Sequence, residues 1–94
     1  MEDHYLTLGR RSAAERVALF LHGLAVRIGR PRGDCIEVAL PMGRADIADH
    51  LGLTIESVSR SLTRLRKEGI IALRDVHTVL VPDLEALSDA AEVE

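Results

Sequence analysis

Aromatic side chains are almost missing from this 94-residue chain: Tyr5 and Phe20 stand alone and there is no tryptophan. The core must therefore be aliphatic, and stacking of bases on aromatic platforms, as in single-strand nucleic-acid binders, is not expected. Cysteine is equally scarce. A lone Cys35 excludes an internal disulfide and any multi-cysteine zinc or iron–sulfur site. His4, His22, His50 and His77 show no metal-ligand spacing among themselves. No nucleophile–base pair, phosphate-binding loop or carboxylate dyad stands out, so nothing supports an enzyme or calls for a cofactor in this chain. No apolar run approaches the length of a membrane span and the N-terminus lacks a signal-peptide pattern, which predicts a soluble, cytoplasmic protein with no membrane partner.

What is present is 47% apolar residues, enough for one small folded domain. The net charge of −3 argues weakly against a non-specific polyanion binder. Its distribution matters more, because the local field governs docking on phosphates. Arg60, Arg64, Arg66 and Lys67 cluster, whereas the last dozen residues are acidic.

The informative stretch is RADIADHLGLTIESVSRSLTRLRK, from Arg44 to Lys67. It reads as a short helix from about Arg44 to His50, a corner at Leu51-Gly52-Leu53, and a longer helix starting after Thr54. Ile47, Ala48, Leu51, Leu53 and Val58 fall where two steeply crossed helices need apolar or small residues. Gly52 falls where the corner needs a positive φ. This is the layout of a helix-turn-helix, whose second helix enters the DNA major groove. At about 100° per residue, Ile55, Val58, Leu62 and Leu65 share the inner side of that helix, and Glu56, Arg60, Thr63, Arg64 and Lys67 lie opposite. Ser59 falls on the margin, and Ser61 occupies a slot that is often apolar.

The rest of the chain fits around this pair. Residues 1–11 read as a tail or the remnant of a linker or dimerisation helix. Ser12-Ala13-Ala14-Glu15 is a capping-box pattern opening a packing helix along Val17, Leu21, Leu24 and Ile28, supported by Phe20 and Ala25 and stopped at Gly29-Arg30-Pro31. Pro31 to Asp34 predicts a turn, with Cys35 as a small, partly buried thiol at the start of the strand that follows. Ile36, Val38 and Leu40 predict that half-buried strand, ending at Pro41. Gly69 ends the second motif helix. Ile70–Arg74 and Thr78–Val81 predict a hairpin, and Asp83 caps a last short helix through Leu84 and Leu87. The fold class expected is mainly α with a small β component (α+β): a winged helix-turn-helix over 12–88, with the motif at 44–68, the wing at 70–81 and a frayed acidic tail at 89–94.

The outer face of the second helix admits two readings. Glu56 in its first turn and Arg66 and Lys67 in its last would complement the helix dipole, and Glu56 and Arg60 could form a surface ion pair. Alternatively the same face reads DNA. Arginine presents a planar fork matching O6 and N7 of guanine, and a carboxylate accepts from the exocyclic amine of cytosine or adenine. The turn, the hairpin and the basic cluster together favour DNA. Arg44, Arg64 and Lys67 suit phosphates, with Thr54, Ser57, Thr63 and the wing's Arg74 as further phosphate contacts. His50 and His77 are weaker candidates for the DNA backbone. The competing class is a winged helix used only for protein–protein contact.

From Leu40 to Arg60, LPMGRADIADHLGLTIESVSR closely resembles the DNA-binding domain of the Crp/Fnr family of bacterial transcription regulators, in particular its Fnr/FixK branch. The resemblance extends from about Arg10 to about Leu87. It implies that Glu56, Ser59 and Arg60 read bases of a TTGA half-site, and it singles out Ser59, which periodicity leaves marginal. Ile55 stands where the branch typified by the cyclic-AMP receptor carries an additional arginine, so TTGA is expected over TGTGA. Family members act as homodimers on palindromes such as TTGA-N6-TCAA, with RNA polymerase as a possible further partner. They carry an N-terminal sensor domain and a long dimerisation helix. These 94 residues contain neither, so the chain reads as an excised domain, a fragment or an unusually short protein. Gly43 departs from the serine or threonine common at that helix cap, a change worth only a few tenths of a kcal/mol.

Overall fold

In the computed structural model, which describes residues 12–92, the chain begins with α1 (Ala13–Ile28), then β1 (Arg30–Arg32) and β2 (Cys35–Ala39). The motif helices α2 (Arg44–Leu51) and α3 (Ile55–Lys67) follow, then β3 (Ala72–Asp75), β4 (Thr78–Val81) and α4 (Leu84–Ala91). The strands form one antiparallel sheet in the order β1-β2-β4-β3. This is the α+β, winged-helix arrangement expected.

The capping box of α1 forms as the sequence predicts. Ser12 Oγ accepts from the Glu15 N–H at 3.1 Å, and the Glu15 carboxylate accepts from the Ser12 N–H at 2.7 Å. Val17, Ala18, Leu21, Leu24 and Ala25 turn into the core. They meet Val38 of β2, Ile47 of α2, Val58 and Leu62 of α3, Val79 and Val81 of β4 and Leu87 of α4 in a single aliphatic cluster. Burying each of the larger side chains is worth about 1.5–3 kcal/mol. Ile28, expected on the packing row, is instead 44% exposed. It closes the helix just before the chain turns away at Gly29, beyond the reach of the core.

Three further boundaries differ from expectation. Residues expected as a plain turn contribute a strand: Arg30–Arg32 pairs with β2, with Arg32 opposite Cys35 across a two-residue link. Gly33 starts that link at φ +60°, the sign needed for the turns that join two tight antiparallel strands. Pro31 is accommodated because β1 is an edge strand, where a missing N–H breaks no ladder. At the wing, Ile70 and Ile71 are not yet strand. Their N–H groups both point at the Leu65 carbonyl, and Ile71 is buried at 2% exposure. The last helix runs on to Ala91, itself buried at 3% exposure, so the tail expected from residue 89 contributes Asp89–Ala91 to ordered helix. Asp83 caps that helix as expected, its carboxylate accepting from the Glu85 N–H at 3.0 Å.

The wing tip is held by its own side chain. Asp75 Oδ1 accepts from the His77 N–H at 2.8 Å across the turn between β3 and β4. That bond is the main cause holding the Asp75 carboxyl below its ordinary range, aided by Thr78 and Arg74. A carboxyl with a depressed folded pKa stabilises the fold above its unfolded pKa and loses that contribution as pH falls. The wing is therefore expected to loosen below about pH 4. Amide exchange at His77 and Thr78, followed by NMR from pH 6 to pH 3, should show that loss in the wild type and little further change in Asp75→Asn.

Candidate nucleic-acid interface

The helix pair is fixed at its corner and at both ends of α3. Helix α2 starts after Gly43, which offers no side-chain cap, and buries Ile47 and Ala48. Gly52 then takes φ +71°, and Leu53 donates its N–H to the Ala48 carbonyl at 2.8 Å, closing the corner. Thr54 caps α3, its hydroxyl accepting from the Ser57 N–H at 3.0 Å. At the far end, Gly69 donates to Arg66 and Ile70 to Leu65, both at 3.0 Å, which is the paired-bond pattern of a Schellman stop.

One anchor escaped sequence reasoning. Arg16 of α1 donates from Nη1 to the Leu51 carbonyl at 2.9 Å, partly buried and 35 residues away along the chain. It places a cation on the negative end of α2 and pins the motif's corner to α1. Local periodicity puts Arg16 on the rim of α1 and gives no hint of its distant partner. Arg16→Ala is expected to lower stability by about 1 kcal/mol, and Arg16→Lys to recover part of it, in urea denaturation.

Helix α3 is sharply two-sided. Val58, Ser61, Leu62 and Leu65 are buried, while Glu56, Ser59, Arg60, Thr63, Arg64 and Lys67 are exposed. Ser59, marginal by periodicity, thus stands on the open side with Glu56 and Arg60. Ile55, placed by periodicity on the inner side, is 52% exposed. As the first residue after the Thr54 cap it lies in a turn that overhangs the core, which the row first reaches at Val58. Ser61 fills the slot expected to be apolar, buried at 5% exposure. With Ser57, Arg60 and Arg64 it lines one side of an open cleft of about 310 Å³ whose other wall is Ser12, Ala13 and Ala14 at the start of α1.

The remaining predicted phosphate residues lie on several elements. Thr54 is exposed at the mouth of α3 and Ser57 is half-buried beside it. Arg44, at the first position of α2, is half-buried, with Nη1 enclosed and unbonded. Arg74 sits at an irregularity in the β3–β4 ladder, between Leu73 and Asp75, and its guanidinium is 3.2 Å from Glu37 of β2. His50, exposed at the end of α2, lies against the Phe20 ring at 5.5 Å, and His77 is exposed in the wing turn. Cys35 opens β2 and is half-buried, the partly buried thiol expected there. Among the described residues no cluster of His, Cys, Asp and Glu could hold a metal ion, and no helix is long and apolar enough to cross a membrane.

Residues 15–90 match the family described as the Crp-like helix-turn-helix domain. The chain belongs to that family. It is 49% identical over 86 residues to the nitrogen fixation regulation protein FixK of Rhizobium meliloti, covering 92% of this chain and 39% of FixK. It is 54% identical over 82 residues to the transcriptional activatory protein AadR of Rhodopseudomonas palustris, covering 87% of this chain and 31% of AadR. The solved structure of FixK2 from Bradyrhizobium japonicum superposes with a TM-score of 0.78 at 39% identity, over 99% of this chain and 45% of that one. The Crp-like assignment and these FixK-type relatives agree with the resemblance carried by Leu40–Arg60. Together they make this a helix-turn-helix domain of the kind carried by FixK-type transcription regulators. The chain spans less than half the length of these relatives.

Proposed function

We propose that this Crp-like domain reads a TTGA-like half-site with the first two turns of α3, as one half of a homodimer on a TTGA-N6-TCAA palindrome. The observation that carries the reading is the single open row of Glu56, Ser59 and Arg60 on a helix whose opposite side is locked into the core. Arg60 takes O6 and N7 of guanine, Glu56 accepts from an exocyclic amine, and Ser59 is small enough to let the helix approach a thymine methyl. Thr54, Ser57, Thr63, Arg64, Lys67, Arg44 and the wing's Arg74 hold phosphates and set register. Two such helices on a dimer stand one duplex turn apart, about 34 Å.

Fluorescence anisotropy with three duplexes tests this: TTGA-N6-TCAA, a TGTGA palindrome and a scramble, each at two salt concentrations. The TTGA site is expected to bind tightest, and every affinity to fall steeply with salt. Equal affinity for all three duplexes would remove the base-reading role. Absence of binding even at low salt would favour a protein-contact module instead.

A further inference from the structure

Three of the guanidiniums assigned to DNA already hold a carboxylate in the free protein. Arg60 is 3.6 Å from Glu56, Arg64 is 3.2 Å from Glu68, and Arg74 is 3.2 Å from Glu37. Glu56 belongs to the proposed base-reading row, but Glu68 and Glu37 have no part in it. Glu37 is further shared with Arg32 at 3.1 Å, so this one carboxylate stands between two arginines.

Glu68 is also badly placed for its own helix. It is the C-terminal cap residue of α3, where the helix dipole favours a cation and opposes a carboxylate. The end of α4 repeats the anomaly: Asp89 and Glu92 stand at its C-terminus and no basic residue lies in its last turn. Both helix ends converge on a recess of about 260 Å³ lined by Glu15, Glu68, Asp89 and Glu92, with Arg64 as its cation. Arg64 thus stands between this acidic recess and the cleft it lines with Ser57 and Arg60. The helix dipole does not explain carboxylates at these two ends, and at α3 the Glu68 carboxylate is held by the Arg64 guanidinium four residues earlier.

We infer that Glu68 and Glu37 are internal competitors for DNA phosphate, which hold down the affinity of a single domain by occupying Arg64 and Arg74. A phosphate reaching Arg64 competes with the Glu68 carboxylate held at Nε and approaches the acidic recess, within one screening length of its charge. Because phosphate contacts carry no sequence information, this brake acts on matched and unmatched duplexes alike. It leaves discrimination to the base-reading row and makes stable occupancy depend on two linked domains.

The inference rests on the DNA-binding reading above, and the test separates the two. Glu68→Gln removes the charge and keeps the side-chain shape. On the intact chain it should tighten binding to the TTGA palindrome and to the scramble by the same factor, about two- to fivefold at low salt, shrinking as salt rises. The gain should vanish when Arg64→Ala is already present, and Glu37→Gln should behave the same way with Arg74→Ala. Thermal unfolding should show Glu68→Gln about as stable as wild type, since it removes both a charge opposed to the dipole and an exposed ion pair of similar size. Unchanged DNA affinity in both glutamine variants overturns the inference, as does a full gain that persists without the arginines. Failure of the wild-type chain to bind any duplex would overturn the DNA-binding reading itself, and the inference with it.

Discussion

Gly29→Ala is expected to destabilise the domain by about 3 kcal/mol, on the scale of the worst overpacking substitutions. The backbone there is ordinary, with φ −66°, so left-handed strain is not the reason. The reason is space. A Cβ on Gly29 would overlap the Ala25 carbonyl oxygen and lie 2.5 Å from Ile36 Cγ2. The first is backbone, and the same oxygen accepts the Gly29 N–H at 3.0 Å in the bond that ends α1. Neither neighbour can yield without shifting the end of α1 away from β2, the strand that carries Val38 into the core. For a domain of this size the loss corresponds to a fall in Tm on the order of 10 to 20 °C. Gly23, inside α1 with nothing near its would-be Cβ, supplies the contrast. Gly23→Ala should stabilise by about 0.5–1 kcal/mol through helix propensity alone. Paired urea melts of the two variants check both; a Gly29→Ala protein as stable as wild type would show that β2 does not press on that position.

Arg60→Ala is the functional counterpart. Its side chain is 77% exposed and paired with Glu56, itself 86% exposed, at 3.6 Å. Exposed pairs of this kind are worth roughly 0–1 kcal/mol, less than a bidentate contact with guanine at about 1–3 kcal/mol. The pair therefore pre-aims the arginine without withholding it. The substitution should cost about 1–3 kcal/mol on the TTGA palindrome and little on a scramble, with thermal stability unchanged. A uniform loss across all duplexes would make Arg60 a phosphate contact instead.

Which features were legible in the sequence follows from the range of the interaction behind each. The capping box at Ser12, the Thr54 cap, the Gly52 corner and the Gly69 stop are local devices, complete within a few residues, and each stands where the residues predict. The outward face of α3 is legible too, apart from the marginal Ser59, because helical periodicity depends only on spacing. The misreadings lie where distant contacts decide. Pro31 argues against a strand until β2 is seen to leave it at the sheet edge. Ile55 and Ile28 look like core residues by spacing, and only the extent of the neighbouring elements leaves them exposed. Ser61 looks misplaced until α1 is seen to bring Ser12 to Ala14 alongside it. The Arg16–Leu51 bond and the Glu37 bridge between Arg32 and Arg74 join residues far apart in the chain or across strands, and no local pattern announces them.

The most direct test of base reading by α3 crosses one residue with one base pair. Wild type and Arg60→Ala are each titrated against TTGA-N6-TCAA and against the same duplex with the guanine of each half-site replaced by adenine. Direct readout predicts that each change alone weakens binding by about 1–3 kcal/mol, and that the second adds little once the first is made. Losses that simply add, with Arg60→Ala costing as much on the adenine duplex as on the guanine one, would contradict it.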